Sequence, residues 1–150
     1  MARLLILGRS GQLARALAEA AATTDFIVTC AGRAEADLAQ RGSAARLISE
    51  MRPSIVLNAA AFTAVDEAED KRSEAFAVNS DGALEAAMAA RRIGTRYILI
   101  STDYVFGAGA ATGPFQEASP PAPVNAYGES KLKGEQATLR AYPGAAVVRT

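Results

Sequence analysis

The sequence predicts a doubly wound α/β domain built on a parallel sheet, and three observations carry that expectation. Short apolar runs are continuous rather than alternating, as expected of strands buried on both faces. Alanine-rich stretches with helical spacing separate them. Each interval between runs is long enough for a helical crossover, which in a parallel sheet is right-handed. At 150 residues the chain has the size of one domain.

The elements follow in order. Strands are predicted at residues 4–7, 26–29, 55–57 and 97–100, with a fifth at 145–148 on the C-terminal edge of the sheet. Leu13, Leu17 and Ala20 fit one face of a first helix. Leu47, Ile48 and Met51 fit a second, ended before Pro53, which would break it. Phe76, Leu84 and Met88 mark a longer helix that stops near Gly94. Residues 107–123 carry four prolines and three glycines and read as a surface loop of the length usually reserved for function. Residues 125–142 return to helical composition.

Composition excludes several function classes. Sixteen basic and sixteen acidic residues cancel, so no basic footprint argues for nucleic acid. Histidine is absent, which removes Ser-His-Asp triads, imidazole bases and His-ligated zinc. Cys30 is the one cysteine and fits a reducing cytoplasm. The apolar fraction of 50% is largely alanine, and no run approaches the ~20 residues that cross a bilayer. The N-terminal run Leu4-Leu5-Ile6-Leu7 is too short for the core of a signal peptide. A soluble cytoplasmic domain is expected.

The first strand runs into Gly8-Arg9-Ser10-Gly11-Gln12-Leu13-Ala14, which then opens a helix. In a dinucleotide-binding turn Gly8 would permit the tight bend and Gly11 the approach of a pyrophosphate. Ala14 would let helix and strand pack closely, with the phosphates on free N–H groups at the helix start. The end of the second strand reads Val28-Thr29-Cys30-Ala31-Gly32-Arg33, with no carboxylate until Glu35. NAD-specific domains place an acid there for the ribose 2′-hydroxyl. Arg33 could instead pair with a 2′-phosphate, so NADPH is expected to be favoured over NADH.

Three further segments fall at the carboxyl ends of strands, where open sheets bind ligands. Asn58-Ala59-Ala60-Ala61 leaves room for a flat ligand, although an alanine-rich helix start reads the same way. Ser101-Thr102-Asp103-Tyr104-Val105-Phe106 sets two hydroxyls and a carboxylate at the sheet edge. Tyr127-Gly128-Glu129-Ser130-Lys131 enters the last helix, with Tyr127 and Lys131 on one face. A nearby cation would lower the phenol from its usual pKa of ~10 and make Tyr127 a usable proton donor and acceptor.

Together these residues resemble the extended short-chain dehydrogenase/reductase superfamily and, within it, the dTDP-4-dehydrorhamnose reductase family. The resemblance rests on Gly8-Arg9-Ser10-Gly11-Gln12-Leu13, Asn58-Ala59-Ala60-Ala61-Phe62-Thr63-Ala64-Val65-Asp66, Ser101-Thr102-Asp103-Tyr104-Val105-Phe106 and Tyr127-Gly128-Glu129-Ser130-Lys131-Leu132-Lys133-Gly134-Glu135. It implies a Rossmann-type domain and NAD(P)H-dependent reduction of the 4-keto group of dTDP-4-dehydro-L-rhamnose. By that pattern Tyr127 would protonate the developing alkoxide. Lys131 would hold the nicotinamide ribose and tune the phenol. Thr102 would hold the substrate carbonyl and Asp103 would lie near the sugar. For the cofactor, Gly8, Ser10, Gly11, Gln12 and Leu13 would line the pyrophosphate, Asp37 and Leu38 the adenine, and Ala59, Ala60 and Ala61 its middle. Asn79 matches a helix asparagine of the family and is expected to be structural.

Members of this family continue past a strand like Val147-Val148-Arg149-Thr150 into a part that builds most of the sugar-nucleotide site. Residues 1–150 are therefore expected to be the NAD(P)-binding domain with the catalytic tyrosine and lysine, without the substrate lobe. A homodimer, in some relatives formed with Mg²⁺, would use later segments. Two other readings compete. An epimerase or dehydratase of the same superfamily would use bound NAD, but a dehydratase usually sets a Glu after the Asp that follows the strand-four hydroxyl, and Tyr104 follows Asp103 here. A non-catalytic nucleotide-binding subunit would tolerate loss of Tyr127 or Lys131, and both are present.

Overall fold

The computed structural model describes residues 1–107 and 114–150. Part of the expected surface loop, residues 108–113, lies outside the described residues.

Five strands form one parallel sheet: β1 (Arg3–Leu7), β2 (Ile27–Ala31), β3 (Ile55–Asn58), β4 (Arg96–Ser101) and β5 (Ala146–Arg149). Their order is β2-β1-β3-β4-β5. The chain therefore reverses its winding between β1 and β3, the crevice in which such sheets bind ligands. Right-handed crossovers then dictate the layers. The step from β1 to β2 carries α1 (Gln12–Ala21) over one face. Every later step runs the other way and carries α2 (Ser43–Met51), α5 (Ala83–Arg92) and α6 (Ala126–Ala141) over the opposite face. Two short helices, α3 (Glu67–Asp70) and α4 (Arg72–Phe76), lead into α5 through a π-helical turn, Ala77–Gly82.

The pleat of β1 shows the double winding. Leu4 and Ile6 pack with Ala14, Leu17 and Ala21 of α1, whereas Leu5 and Leu7 join Ile48, Val56, Ala86, Ala90, Tyr97 and Leu99 on the other face. Cover on the α1 face is incomplete. Ile98 and Ile100 are half-buried there, and Val148 of β5 is 44% exposed. Full burial of every strand is thus corrected: with one helix on that side, β4 and β5 are covered on one face.

Two helix faces also differ from expectation. In α1 the core-facing residues are Ala14, Leu17 and Ala21, while Leu13 is 37% exposed and Ala20 exposed. In α5 the buried face is Ala83, Ala86, Ala87 and Ala90, and Met88 is 55% exposed. The reason is the same in both. These helices lie against their neighbours through alanines, so the large apolar residues fall at the rim. The expected single helix from Phe76 to Gly94 is broken by the π turn, and Gly94 ends it with φ +70°. Among the described residues no helix is long and apolar enough to cross a membrane.

Candidate active site

The turn after β1 is shaped by what Gly8 lacks. Its φ is +116°, and a Cβ there would sit 3.3 Å from the Ala60 nitrogen. Its N–H donates to the Ala31 carbonyl of β2 at 2.7 Å, so the loop is fixed between the two strands that flank it. A Cβ on Gly11, by contrast, would meet nothing within 4 Å. The open space before it is a cleft of about 300 Å³, lined by Gly8, Arg9, Ser10 and Gly11, by Arg33, Asp37 and Leu38 after β2, and by Ala59, Ala60 and Ala61 after β3.

Most expected cofactor residues thus share one cleft. Gln12 and Leu13 are a correction. They open α1 with side chains turned to solvent, outside the cleft wall. What they present is the unpaired backbone N–H of a first helical turn, which suits an anion. Residues 59–61 form loop, not a helix start. Asp37 is folded back locally, its carboxylate accepting the Ala39 N–H at 3.0 Å.

The β3 loop is pinned at both ends by buried asparagines. Asn58 Oδ1 accepts the Ala60 N–H at 3.2 Å, while its amide donates to the Tyr97 hydroxyl at 2.9 Å, which in turn donates to the Ala83 carbonyl. Asn79, inside the π turn, accepts the Phe62 N–H at 2.8 Å and donates to both the Phe62 carbonyl and Ser130 Oγ. Ser130 donates onward to the Tyr127 carbonyl at 2.7 Å. The structural role expected of Asn79 is therefore specific: it ties the cleft wall to α6.

Helix α6 carries the second group. Asn125 caps it by accepting the Gly128 N–H at 2.7 Å, and Glu69 accepts the Ala126 N–H. Gly128 allows α6 to lie directly on the Tyr104 carbonyl, where a Cβ would collide. That contact brings Tyr127 to Thr102 at the end of β4 and to the ring of Tyr104, edge-on at 5.6 Å. Thr102 caps the short helical turn Asp103–Val105 by accepting the Tyr104 N–H at 3.2 Å, and its hydroxyl donates to Asp103 at 3.4 Å. Lys131 is buried and donates to the Ile100 carbonyl at 2.6 Å. Thr102, Tyr127 and Lys131 are thus together, beside the cleft rather than in its wall.

The electrostatics correct one expectation. Burial raises the Tyr127 phenol above its ordinary value, more than the Thr102 hydroxyl lowers it, and Tyr104 and Asp103 raise it further. Lys131 does not depress it. Burial instead pushes the lysine down to about 8, against the opposing pull of Glu135 one turn later. Tyr127 is accordingly a protonated phenol at neutral pH, a donor rather than a base.

Two features escaped the sequence reading. Arg9 points across the loop, pairing with Glu35 at 2.8 Å and donating to the Cys30 carbonyl. Glu135 is 2% exposed and held by Arg149 in a two-point ion pair. Only Glu135 left a signal, as an acid one helical turn past Lys131. Among the described residues no group of three or more His, Cys, Asp or Glu side chains is placed to hold a metal ion.

A parallel sheet with a glycine turn at its winding reversal and a Tyr-x-x-x-Lys pair on the helix after β4 defines a dinucleotide-binding domain of the short-chain dehydrogenase/reductase class. Residues 2–150 match the family described as the RmlD substrate binding domain, and the chain belongs to it. It is 44% identical over 148 residues to the dTDP-4-dehydrorhamnose reductase of Sinorhizobium fredii (strain NBRC 101917 / NGR234), covering 99% of this chain and 49% of that protein. A dTDP-4-dehydrorhamnose reductase structure from Clostridium acetobutylicum ATCC 824 superposes with a TM-score of 0.93 at 33% identity, over 98% of this chain and 52% of that one. One from Bacillus anthracis str. Ames, in complex with NADP, gives 0.92 at 34% identity, over 99% and 52%. The chain spans about half the length of the curated relatives it matches.

Proposed function

We propose that residues 1–150 are the NAD(P)H-binding and proton-donating part of a cytoplasmic enzyme that reduces the 4-keto group of dTDP-4-dehydro-L-rhamnose to dTDP-L-rhamnose. The observation that carries this reading is the buried Tyr127–Lys131 face of α6, set against Thr102 at the carboxyl end of β4. The names of the relatives give the substrate, and the NADP complex of one of them the cofactor.

The cleft fits the adenosine and pyrophosphate part of such a dinucleotide. Gly11 leaves the approach open, the first turn of α1 offers free N–H groups, and Ala59, Ala60 and Ala61 present a flat wall. When bound, the reduced nicotinamide supplies hydride to the carbonyl carbon. Thr102 donates a hydrogen bond to the carbonyl oxygen, exchanging its contact with Asp103. Tyr127 then gives its phenolic proton to that oxygen as charge develops on it, and the phenolate is reprotonated from solvent. Lys131, charged below pH 8, steadies the phenolate formed in the step and reaches the ribose. Asp103, exposed beside Thr102, faces the sugar.

Tyr127→Phe in the intact enzyme tests this. Removing the hydroxyl alone should leave NADPH binding in place and lower kcat by ~10²–10⁴-fold, the range of a lost general acid. An undiminished kcat would show that another group supplies the proton.

A further inference from the structure

Two arginines line the same side of the cleft, and they are in different states. Arg33 is exposed and makes no hydrogen bond or ion pair among the described residues. Arg9 is fully engaged. Its NH1 meets Glu35 Oε1 at 2.8 Å, while its Nε and NH2 both donate to the Cys30 carbonyl, at 3.3 and 2.8 Å. Glu35 is engaged as well, its second oxygen accepting the Gly32 N–H at 2.9 Å. A Cβ on Gly32 would lie 3.4 Å from Arg9 Cβ and 3.5 Å from Glu35 Oε2, so the turn closes tightly around the pair. Partial burial raises the Glu35 carboxyl, but the Gly32 N–H and the Arg9 guanidinium offset this and hold it below its usual range.

We infer that Glu35 is a positioning residue for cofactor choice: by holding Arg9 against β2 it leaves Arg33 alone, among the described residues of this wall, to meet a 2′-phosphate. The same contacts take the Glu35 carboxylate out of use. It is the first acid after β2, the place from which a dinucleotide site reads a ribose 2′-hydroxyl, yet both of its oxygens are spoken for by Arg9 and Gly32. The site therefore neither repels a 2′-phosphate strongly nor grips it fully. Tolerance of both NADPH and NADH follows, with a preference set by Arg33 and capped by Glu35. This inference rests on the dinucleotide reading of the cleft.

Glu35→Gln tests it in the intact protein, with NADPH and NADH affinities read by fluorescence titration. The amide keeps an acceptor for the Gly32 N–H but no longer holds Arg9 by charge. Freed to make a charge-assisted contact with the phosphate, Arg9 should tighten NADPH binding by about tenfold, with NADH affinity unchanged. Adding Arg9→Ala should abolish the gain. Glu50→Gln, which neutralises an acid on α2 away from the cleft wall, should not reproduce it. An unaltered ratio in Glu35→Gln, a gain that survives Arg9→Ala, or an equal gain in Glu50→Gln would each overturn the inference. Weaker NADH binding in Glu35→Gln would do so too, since the carboxylate would then be reading the 2′-hydroxyl. Failure of the unmodified protein to bind either dinucleotide is a different result and removes the cofactor reading itself.

Discussion

At the end of β1 the candidate site is made by leaving side chains out, whereas on α6 it is made by burying side chains that carry protons. Gly8, Gly11 and the alanines after β3 shape a space and expose backbone groups, and nothing in that wall must change its charge. Tyr127 and Lys131 are the reverse: both are largely buried, and both have proton affinities moved by that burial. The first half should respond to added bulk and ignore pH. The second should tolerate isosteric change and respond to pH.

Gly11→Val is the sharpest way to break the first half. Because a Cβ there meets only open space, the fold should be undisturbed and Tm unchanged. NADPH binding should fall by a hundredfold or more, on the order of 3 kcal/mol, because the valine occupies the phosphate position. Near-normal affinity would move the pyrophosphate elsewhere.

Lys131→Met probes the second half. The lysine titrates near 8 in the fold against 10.5 as the ordinary value, so the unfolded chain binds the extra proton between those values. Stability conferred by the wild-type residue therefore rises with pH across that window and is constant below pH 8. Relative to wild type, the methionine variant should lose about 3 kcal/mol between pH 8 and 10.5, since a tenfold change in proton affinity is worth about 1.4 kcal/mol. Chemical denaturation at about pH 7, 9 and 10.5 measures this, and a flat difference would mean the amine is not desolvated.

The smallest effect concerns the tie between the two halves. Asn79→Ala leaves the Phe62 N–H without its partner and cuts the link to Ser130. A cost of about 2 kcal/mol is expected for the stranded buried group, read as a lower Tm, together with weaker dinucleotide binding as the β3 loop loosens. A change in stability with no change in affinity would show that the loop holds its shape without the clamp.

This contrast also explains what could be read from sequence. Spacing is local, so the glycine turn, the Tyr127–Lys131 pairing and the bounds of α6 between Asn125 and Tyr142 were legible. Core-facing residues of α1 and α5 were not, because periodicity is read from large apolar residues and these helices pack through alanine. Nor was the direction in which the Tyr127 phenol moves. It depends on how much protein surrounds the ring, and the neighbouring lysine made the opposite sign the natural expectation. The Arg9–Glu35 pair joins two separate loops, one after β1 and one after β2, and nothing in either segment announces the other.

The π turn Ala77–Gly82 has a further consequence, which concerns rotation rather than binding. A wider turn holds one more residue than the α-helical path it replaces, and each residue advances a helix by about 100°. That extra residue sets the phase at which α5 leaves the turn and meets the sheet. Deleting any single residue from Ala77–Gly82 would swing Ala86 and Ala90, both fully buried, off the sheet-facing side and bring polar or bulky neighbours into their place. The segment works like a keyed shaft: its length in residues, more than its chemistry, fixes the angular setting of everything downstream to β4.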